Sequence, residues 1–154
     1  GAALNAFIGQ NYGAGKMDRV KKGYRASLIT VGVWGLFITL LFVCFPEQIS
    51  GVFFHEPTAI ATAVGYMIII GYSEAFMSVE LMTVGALSGL GKTHLCSVIS
   101  ITLTSARIPL AIFLSGTALG LLGIWWALTA TSVVKGIVFV MAFYWITARM
   151  RNSK

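Results

Sequence analysis

The sequence predicts an all-α polytopic membrane protein, a bundle of four spanning helices that follows the tail of an earlier helix. Two observations predict this fold: four long stretches almost free of charge, and basic residues gathered on one side of them. A helix needs about 20 residues to cross a hydrocarbon core about 30 Å thick, and each stretch has about that length or more. The predicted spans are residues 27–45, 59–90, 95–114 and 121–147.

The composition is that of a chain surrounded by lipid. Hydrophobic residues make up 57% of the sequence and charged residues only 10%, whereas soluble domains average about 25% charged residues. The formal net charge is +6, but the basic residues lack the interleaved aromatic side chains of a nucleic-acid surface. We therefore expect the lipid bilayer as a partner and no nucleic acid.

The distribution of basic residues predicts the orientation of the spans. Basic residues lie before the first span in residues 16–25, between the second and third at Lys92, and after the fourth in residues 149–154. Threading the chain through four spans places these three groups on one face. The opposite loops, residues 46–58 and 115–120, contain no Lys or Arg. The positive-inside rule then predicts a protein of the cytoplasmic membrane, with residues 16–25 and the C-terminus in the cytoplasm.

The first residues have the pattern of a helix end. Residues 1–9 are apolar except for Asn5, without an initiator Met or the charged start of a signal peptide, and a glycine-containing turn follows them. We interpret them as the last turns of a helix that begins before the sequence given. Four spans also provide few walls for a substrate pathway, so we expect a missing N-terminal remainder or a partner chain.

Four ionisable residues lie inside the predicted spans: Glu74, Glu80, Arg107 and Lys135. Each costs about 3 kcal/mol at the centre of a bilayer, so each should face protein or a water-filled cavity. A helical rise of about 1.5 Å per residue places all four at broadly comparable depth. Their helical neighbours on spans two to four carry hydroxyl groups: Ser73, Ser78, Thr83, Ser100, Thr104, Thr131 and Ser132. These three spans are therefore predicted to surround an aqueous cleft.

Two roles are open for these charges. Glu80 with Lys135 and Glu74 with Arg107 could form structural ion pairs that hold the bundle together. Alternatively, at least one carboxylate binds H⁺ or Na⁺ and couples it to transport. Glu74 and Glu80 are six residues apart, which separates them by about 240° around a helix. Glu80 has the more polar face and is the first candidate for cation coupling, with Glu74 second.

Other chemistry finds little support in the sequence. Residues 89–93 resemble the end of a phosphate-binding P-loop, but Ala86 replaces the first glycine of that motif and a membrane helix precedes it. His55, Glu56 and His94 belong to loops on opposite faces, without a cluster of metal ligands around them. No nucleophile–base constellation is present. We expect no enzymatic activity, no metal site, and no cofactor other than a coupling ion.

Two spacings bear on packing. Gly85 and Gly89 form a Gly-x-x-x-Gly pattern, which permits close approach of a second helix in a membrane. Cys44 and Cys96 fall near opposite faces of the membrane in the predicted topology. A disulfide needs Cα atoms within about 7 Å, so we expect both cysteines to be unpaired.

Several ordered motifs resemble those of one transporter family. Residues 9–16 read GQNYGAGK, and residues 80–93 read ELMTVGALSGLGKT. Residues 107–110 read RIPL, and residues 120–127 read GLLGIWWA. In this order and spacing they resemble segments that follow the eighth helix, end the tenth, lie in the eleventh and start the twelfth helix of multidrug and toxic compound extrusion (MATE) transporters.

The resemblance implies that residues 1–154 form the C-terminal part of the C-lobe of a two-lobed, twelve-helix antiporter. Such a protein exports drugs or other cationic or amphipathic small molecules in exchange for H⁺ or Na⁺ by alternating access. Its N-terminal lobe would be a further partner outside this chain. Glu80 and Glu74 lie on the helix whose carboxylate binds the cation in some members, although the family's aspartate is expected near Met77 or Ser78.

Two alternatives to an exporter remain at this point. A lipid-linked saccharide flippase of the same superfamily would need a more cationic central cavity, and here two acidic and two basic side chains balance inside the spans. A membrane scaffold without transport activity would use the same charges only to pair helices.

Overall fold

The computed structural model describes residues 1–152, and the side chains of residues 1–150. The described residues form six helices joined by short turns, so the predicted all-α fold is confirmed. Four of them, α2, α4, α5 and α6, are long and apolar enough to cross a membrane. The chain is therefore a polytopic membrane helix bundle. The helices are α1 (Ala2–Gly13), α2 (Met17–Cys44), α3 (Pro46–Phe53), α4 (Pro57–Gly89), α5 (Thr93–Ser115) and α6 (Leu121–Asn152).

The helices extend beyond the apolar stretches of the sequence. Helix α2 begins at Met17, within the basic segment that precedes the first predicted span, and α6 continues to Asn152. Hydropathy identifies only the part of a helix that contacts lipid. The backbone hydrogen bonds of these helices continue through further polar residues at their ends. The end of the predicted basic C-terminus, residues 153 and 154, lies outside the described residues.

Helix α4 occupies the centre of the bundle. It packs against α1, α2, α3 and α6, whereas α5 packs chiefly on α6. Glycines bring the backbones close at two crossings: a Cβ on Gly35 of α2 would lie 2.6 Å from the Ala75 Cα atom, and a Cβ on Gly136 of α6 would lie 2.9 Å from the Phe76 carbonyl oxygen. Adjacent residues of α4 are thus clamped between α2 and α6, which is the role of small residues at helix contacts in membranes.

The Gly85-x-x-x-Gly89 pattern brings α1 against α4, as its spacing predicts. A Cβ on Gly85 would overlap the Gly1 backbone, and a Cβ on Gly89 would lie 2.5 Å from the Asn5 carbonyl oxygen. The prediction of a close helix approach at this pattern is confirmed, and α1 is the partner.

Two turns at the same end of the bundle have the same backbone structure. The turn after α1 contains Gly15 at φ 72°, and the turn after α4 contains Gly91 at φ 72°. The following amides, of Lys16 and Lys92, donate hydrogen bonds back to the Asn11 and Leu87 carbonyls at 2.8 and 2.9 Å. Both turns are Schellman motifs, in which a glycine adopts the left-handed conformation that closes a helix. We call the end with these turns the basic end.

The hydrophobic core lies towards the basic end, where α1, α2, α4 and α6 meet. The Tyr24 ring of α2 stacks on Phe143 of α6, with ring centroids 3.6 Å apart. The Tyr24 hydroxyl also forms a 2.9 Å hydrogen bond with Thr83 Oγ1 of α4. The outer faces of α2 and α5 carry exposed apolar side chains, as expected of surfaces that contact lipid. The most exposed of these are Val33, Trp34, Leu40, Ile101, Ile108, Ile112 and Phe113.

Both cysteines are free, as predicted: Cys44 is exposed at the end of α2 and Cys96 is buried at the start of α5.

Candidate functional site

Three of the four ionisable residues in the spans contact residues of a neighbouring helix among α4, α5 and α6. The Lys135 Nζ atom of α6 lies 2.7 Å from the Glu80 Oε1 atom of α4. The same ammonium group donates a longer hydrogen bond, 3.4 Å, to Thr104 Oγ1 of α5. Lys135 therefore bridges two helices from its position on a third.

Arg107 forms a second group of hydrogen bonds between α5 and α6. Its Nε atom donates a 2.8 Å hydrogen bond to Thr131 Oγ1, and its Nη2 atom donates a 3.2 Å bond to Ser132 Oγ. The Thr131 hydroxyl is placed to donate its own proton to the Ala127 carbonyl at 2.8 Å, which leaves its oxygen lone pairs free to accept from the guanidinium. These residues form two hydrogen-bonded groups on neighbouring turns of α6, and we call the six together the polar network: Glu80, Thr104, Arg107, Thr131, Ser132 and Lys135.

The turn between α5 and α6 sets the register of the network. A Cβ on Gly123 of α6 would lie 2.5 Å from the Leu114 carbonyl oxygen of α5, so the two backbones touch just beside the turn. In an antiparallel helix pair, residues at equal distances from the turn lie side by side. Arg107 and Thr131 are such a pair, and one turn further from the loop Thr104 lies beside Lys135.

Most of the polar network is shielded from solvent, although its ion pair retains a small exposed fraction. The Lys135 and Glu80 side chains are 11% and 13% exposed, and Thr131 and Ser132 are buried. An ion pair so far removed from water is costly to break, because the remaining charge is left without a partner. The network holds two basic groups and one carboxylate, so it carries one net positive charge.

Glu74 stands apart from this network, and the predicted Glu74–Arg107 pair does not form. Among the described residues, Lys135–Glu80 is the ion pair with a nitrogen–oxygen distance within 4.0 Å. Arg107 is bound by hydroxyl groups of α6 instead. The cause is rotation about the helix axis: Glu80 faces α6, and a separation of six residues turns Glu74 away by about 240°.

Two of the predicted polar neighbours of Glu80 have other partners. Ser73 and Thr83 are both fully buried. The Ser73 hydroxyl donates to the Ile70 carbonyl at 2.8 Å, and the Thr83 hydroxyl donates to the Val79 carbonyl at 2.8 Å while it pairs with Tyr24. Their hydroxyls thus serve the backbone of α4 and its contact with α2, and they do not extend the network around Glu80.

Sequence reasoning missed two contacts of the structure. Thr131 and Ser132 were expected to flank Lys135, whereas their hydroxyls hold Arg107. Tyr24 precedes the predicted first span, residues 27–45, and its hydroxyl joins α2 to α4. The equal spacing of Arg107 and Thr131 from the α5–α6 turn was the signal available for the first contact.

A cavity of about 810 Å³ lies at the other end of the bundle, between α2, α4, α6 and Phe54, the residue that follows α3. Aromatic, aliphatic and threonine side chains line this cavity, and none of its lining residues is charged. Its aromatic wall includes Trp125, whose ring meets Tyr66 edge-on at a centroid distance of 5.6 Å. The lining residues are Phe42, Phe54, Thr58, Ala59, Thr62, Ala63, Tyr66, Met67, Ile70 and Trp125.

Comparison with known proteins identifies the family of this helix bundle. The model of the MatE family matches residues 1–113. The chain belongs to the MATE family. The match includes α1 to α4 and most of α5, and it confirms the resemblance seen in the ordered motifs.

Two relatives of this MATE chain carry the name "Probable multidrug resistance protein NorM". The protein from Pseudomonas aeruginosa is 30% identical over 150 residues, which cover 93% of this chain. The protein from Thermotoga maritima is 26% identical over 143 residues, which cover 92% of this chain. Each alignment covers 31% of the relative, so the MATE chain described here spans about a third of the length of these proteins.

Proposed function

We propose that this chain is the C-terminal part of a transporter that exports drugs or other cationic or amphipathic small molecules across the cytoplasmic membrane. Export is driven by exchange for H⁺ or Na⁺ through alternating access. The observation that carries this proposal is a shielded carboxylate, Glu80, in a polar network shared by three membrane helices. Membership of the MATE family and the names of the two relatives support a transporter of this kind.

Glu80 is the proposed coupling group. It projects from α4, the helix at the centre of the bundle, and its charge is countered by a group on α6. Binding or loss of a cation at this carboxylate changes the electrostatic energy of the contact between α4 and α6. Such a change can bias two arrangements of packed helices, which is what alternating access requires. Catalysis and cofactors other than the coupling ion have no part in the proposal.

The proposed orientation places the basic end in the cytoplasm. The turns with Lys16 and Lys92 lie at this end, and the positive-inside rule assigns such loops to the cytoplasmic face. The cavity of about 810 Å³ then opens towards the outer half of the membrane.

The lining of this cavity favours an exporter of amphipathic compounds over a lipid-linked saccharide flippase. Aromatic and aliphatic side chains with a few hydroxyls suit an apolar ring system with polar substituents. A charged saccharide–lipid linkage would call for basic side chains there, and the lining residues include none.

Transport by the full-length protein in an efflux-deficient host tests the proposal. Glu80→Gln removes the negative charge while its amide oxygen can still accept a hydrogen bond from Lys135, so we expect lost dye export at normal membrane abundance. Glu74→Gln is the matched control on the same helix and should export like the wild type. Undiminished export by the Glu80→Gln variant would remove this carboxylate from the mechanism.

The same experiment separates the transporter from a scaffold. If the charges only hold helices together, Glu80→Gln lowers the abundance of the protein in the membrane. Adding Lys135→Gln then restores that abundance, because no buried charge is left without a partner.

A further inference from the structure

We propose that Lys135 is a tethered competitor for the coupling cation. In the ion-free transporter its ammonium group pairs with the Glu80 carboxylate and holds α4, α5 and α6 together. When a cation binds to Glu80, the ammonium group is displaced towards Thr104. This inference rests on the proposed function, in which Glu80 is the coupling carboxylate. It adds the residue that keeps an unloaded transporter from changing conformation.

The first support is direct contact between the two groups. At 2.7 Å, the Lys135 Nζ atom stands against the Glu80 Oε1 atom where a bound proton or metal cation would also have to be. Two cations cannot share one carboxylate oxygen at this separation without strong repulsion, and the repulsion is larger where water is scarce. Binding of the coupling cation at Oε1 and pairing with Lys135 therefore compete for the same oxygen atom.

The second support is the charge of the surroundings. The other charged group of the polar network is Arg107 on α5, which is bound by two neutral hydroxyls. In the described residues, the charged side chains of α2 lie at its basic end, residues 18–25, and α1 carries none. Glu74 is turned away from the network. A cation that entered without displacing Lys135 would raise the net charge of the network from one to two positive charges, so displacement is favoured.

The third support is a place for the displaced ammonium group. Thr104 Oγ1 lies 3.4 Å from Lys135 Nζ, a long contact that can shorten when the carboxylate is lost. Lysine suits this movement because its charge is carried on a flexible four-carbon stem.

For transport, the consequence is that the ion pair restrains the helices until a cation binds to Glu80 and breaks the pair. The ion pair joins α4 to α6 near the Gly136–Phe76 backbone contact. With Lys135 paired and no substrate bound, the helices are held in one arrangement. With a cation on Glu80, the contact loses its electrostatic link and the two helices can move relative to one another. The empty transporter is therefore held still, which an exchanger needs in order to avoid uncoupled cycles.

The test measures cation dependence in the purified full-length protein, reconstituted in liposomes. The concentration of H⁺ or Na⁺ that gives half-maximal dye export is compared for wild type, Lys135→Gln and Lys135→Arg. Lys135→Gln should lower this concentration by about tenfold or more, in line with the coupling of close, shielded charge pairs. It should also permit cation flux without dye. Lys135→Arg should stay near the wild type, and Lys92→Gln, in an exposed turn, is the matched control.

A second variant keeps the inference open to refutation if Lys135→Gln does not accumulate. Thr104→Val removes the hydroxyl that accepts the displaced ammonium group, so the half-maximal cation concentration should rise by about two- to threefold. An unchanged or opposite shift in either variant would overturn the competition between Lys135 and the cation. A wild type whose export ignores both cations would instead reject the proposed function itself.

Discussion

Glu80 and Glu74 are both glutamates of α4, but within the described part of the chain only Glu80 has a basic partner on a neighbouring helix. Glu80 is 13% exposed and lies 2.7 Å from the ammonium group of Lys135. Glu74 is half-buried and forms no ion pair among the described residues. Depth in the membrane does not explain the difference, because the two residues are only six positions apart. The direction in which each side chain leaves α4 explains it.

The direction is fixed by the close contacts of α4 with its neighbours. Ala75 meets Gly35 of α2, and Phe76 meets Gly136 of α6. These contacts set the rotation of α4, and with it the face on which each glutamate lies. An acidic residue inside a span is therefore not by itself a coupling site: a neighbouring helix must supply the counter-charge and exclude water.

The largest expected effect concerns the stability of this pair. Glu80→Ala leaves the Lys135 ammonium group without its carboxylate and should destabilise the full-length protein by about 3 kcal/mol, the low end of the range for a broken buried pair. Glu74→Ala breaks no ion pair and should cost less than about 1 kcal/mol. Denaturant unfolding in detergent micelles measures both values. Equal losses for the two variants would remove the structural distinction between the glutamates.

A double substitution sharpens the same comparison. Glu80→Met combined with Lys135→Met replaces the pair by apolar side chains of similar length, and should recover about 2 kcal/mol relative to Glu80→Met alone. Glu74→Met combined with Lys135→Met should show no recovery, because these residues do not touch. The double-mutant cycle is measured by the same unfolding experiment, and additive losses in the Glu80 cycle would contradict the account.

The smallest of these effects concerns Arg107. Arg107→Lys keeps the positive charge but cannot reach Thr131 and Ser132 with the planar fork of a guanidinium group. We expect a loss of about 1 kcal/mol from weaker hydrogen bonds, with the Glu80–Lys135 pair intact. Unfolding of this variant and its export activity are measured together. A loss as large as that of Glu80→Ala would mean that Arg107, and not Lys135, carries the electrostatic link between the helices.

Much of the fold follows from the sequence because lipid is a demanding solvent. A single segment satisfies its own backbone hydrogen bonds there only as a helix, so four apolar stretches of about 20 residues or more suffice to predict the bundle. The Glu80–Lys135 pair was also within reach of the sequence, since both residues lie at similar depth and Glu80 has the more polar face.

The remaining details depend on how each helix is rotated against its neighbours. The rise per residue gives the depth of a side chain but not the direction in which it leaves the helix. Glu74 and Arg107 lie at similar depth, so depth alone predicts a pair that does not form. Contacts of single glycines, such as Gly136 with Phe76, decide the rotation. The sequence around a glycine does not reveal which residue of another helix it contacts. The contact of Arg107 with Thr131 is different, because the short turn between α5 and α6 specifies it.

The most direct test of the central claim is gradient-driven transport by the purified full-length protein in liposomes. An imposed H⁺ or Na⁺ gradient should drive dye against its concentration gradient in the wild type and in Glu74→Gln. In Glu80→Gln the same gradient should drive none, while the protein remains folded. Gradient-driven accumulation by Glu80→Gln equal to that of the wild type would contradict the account.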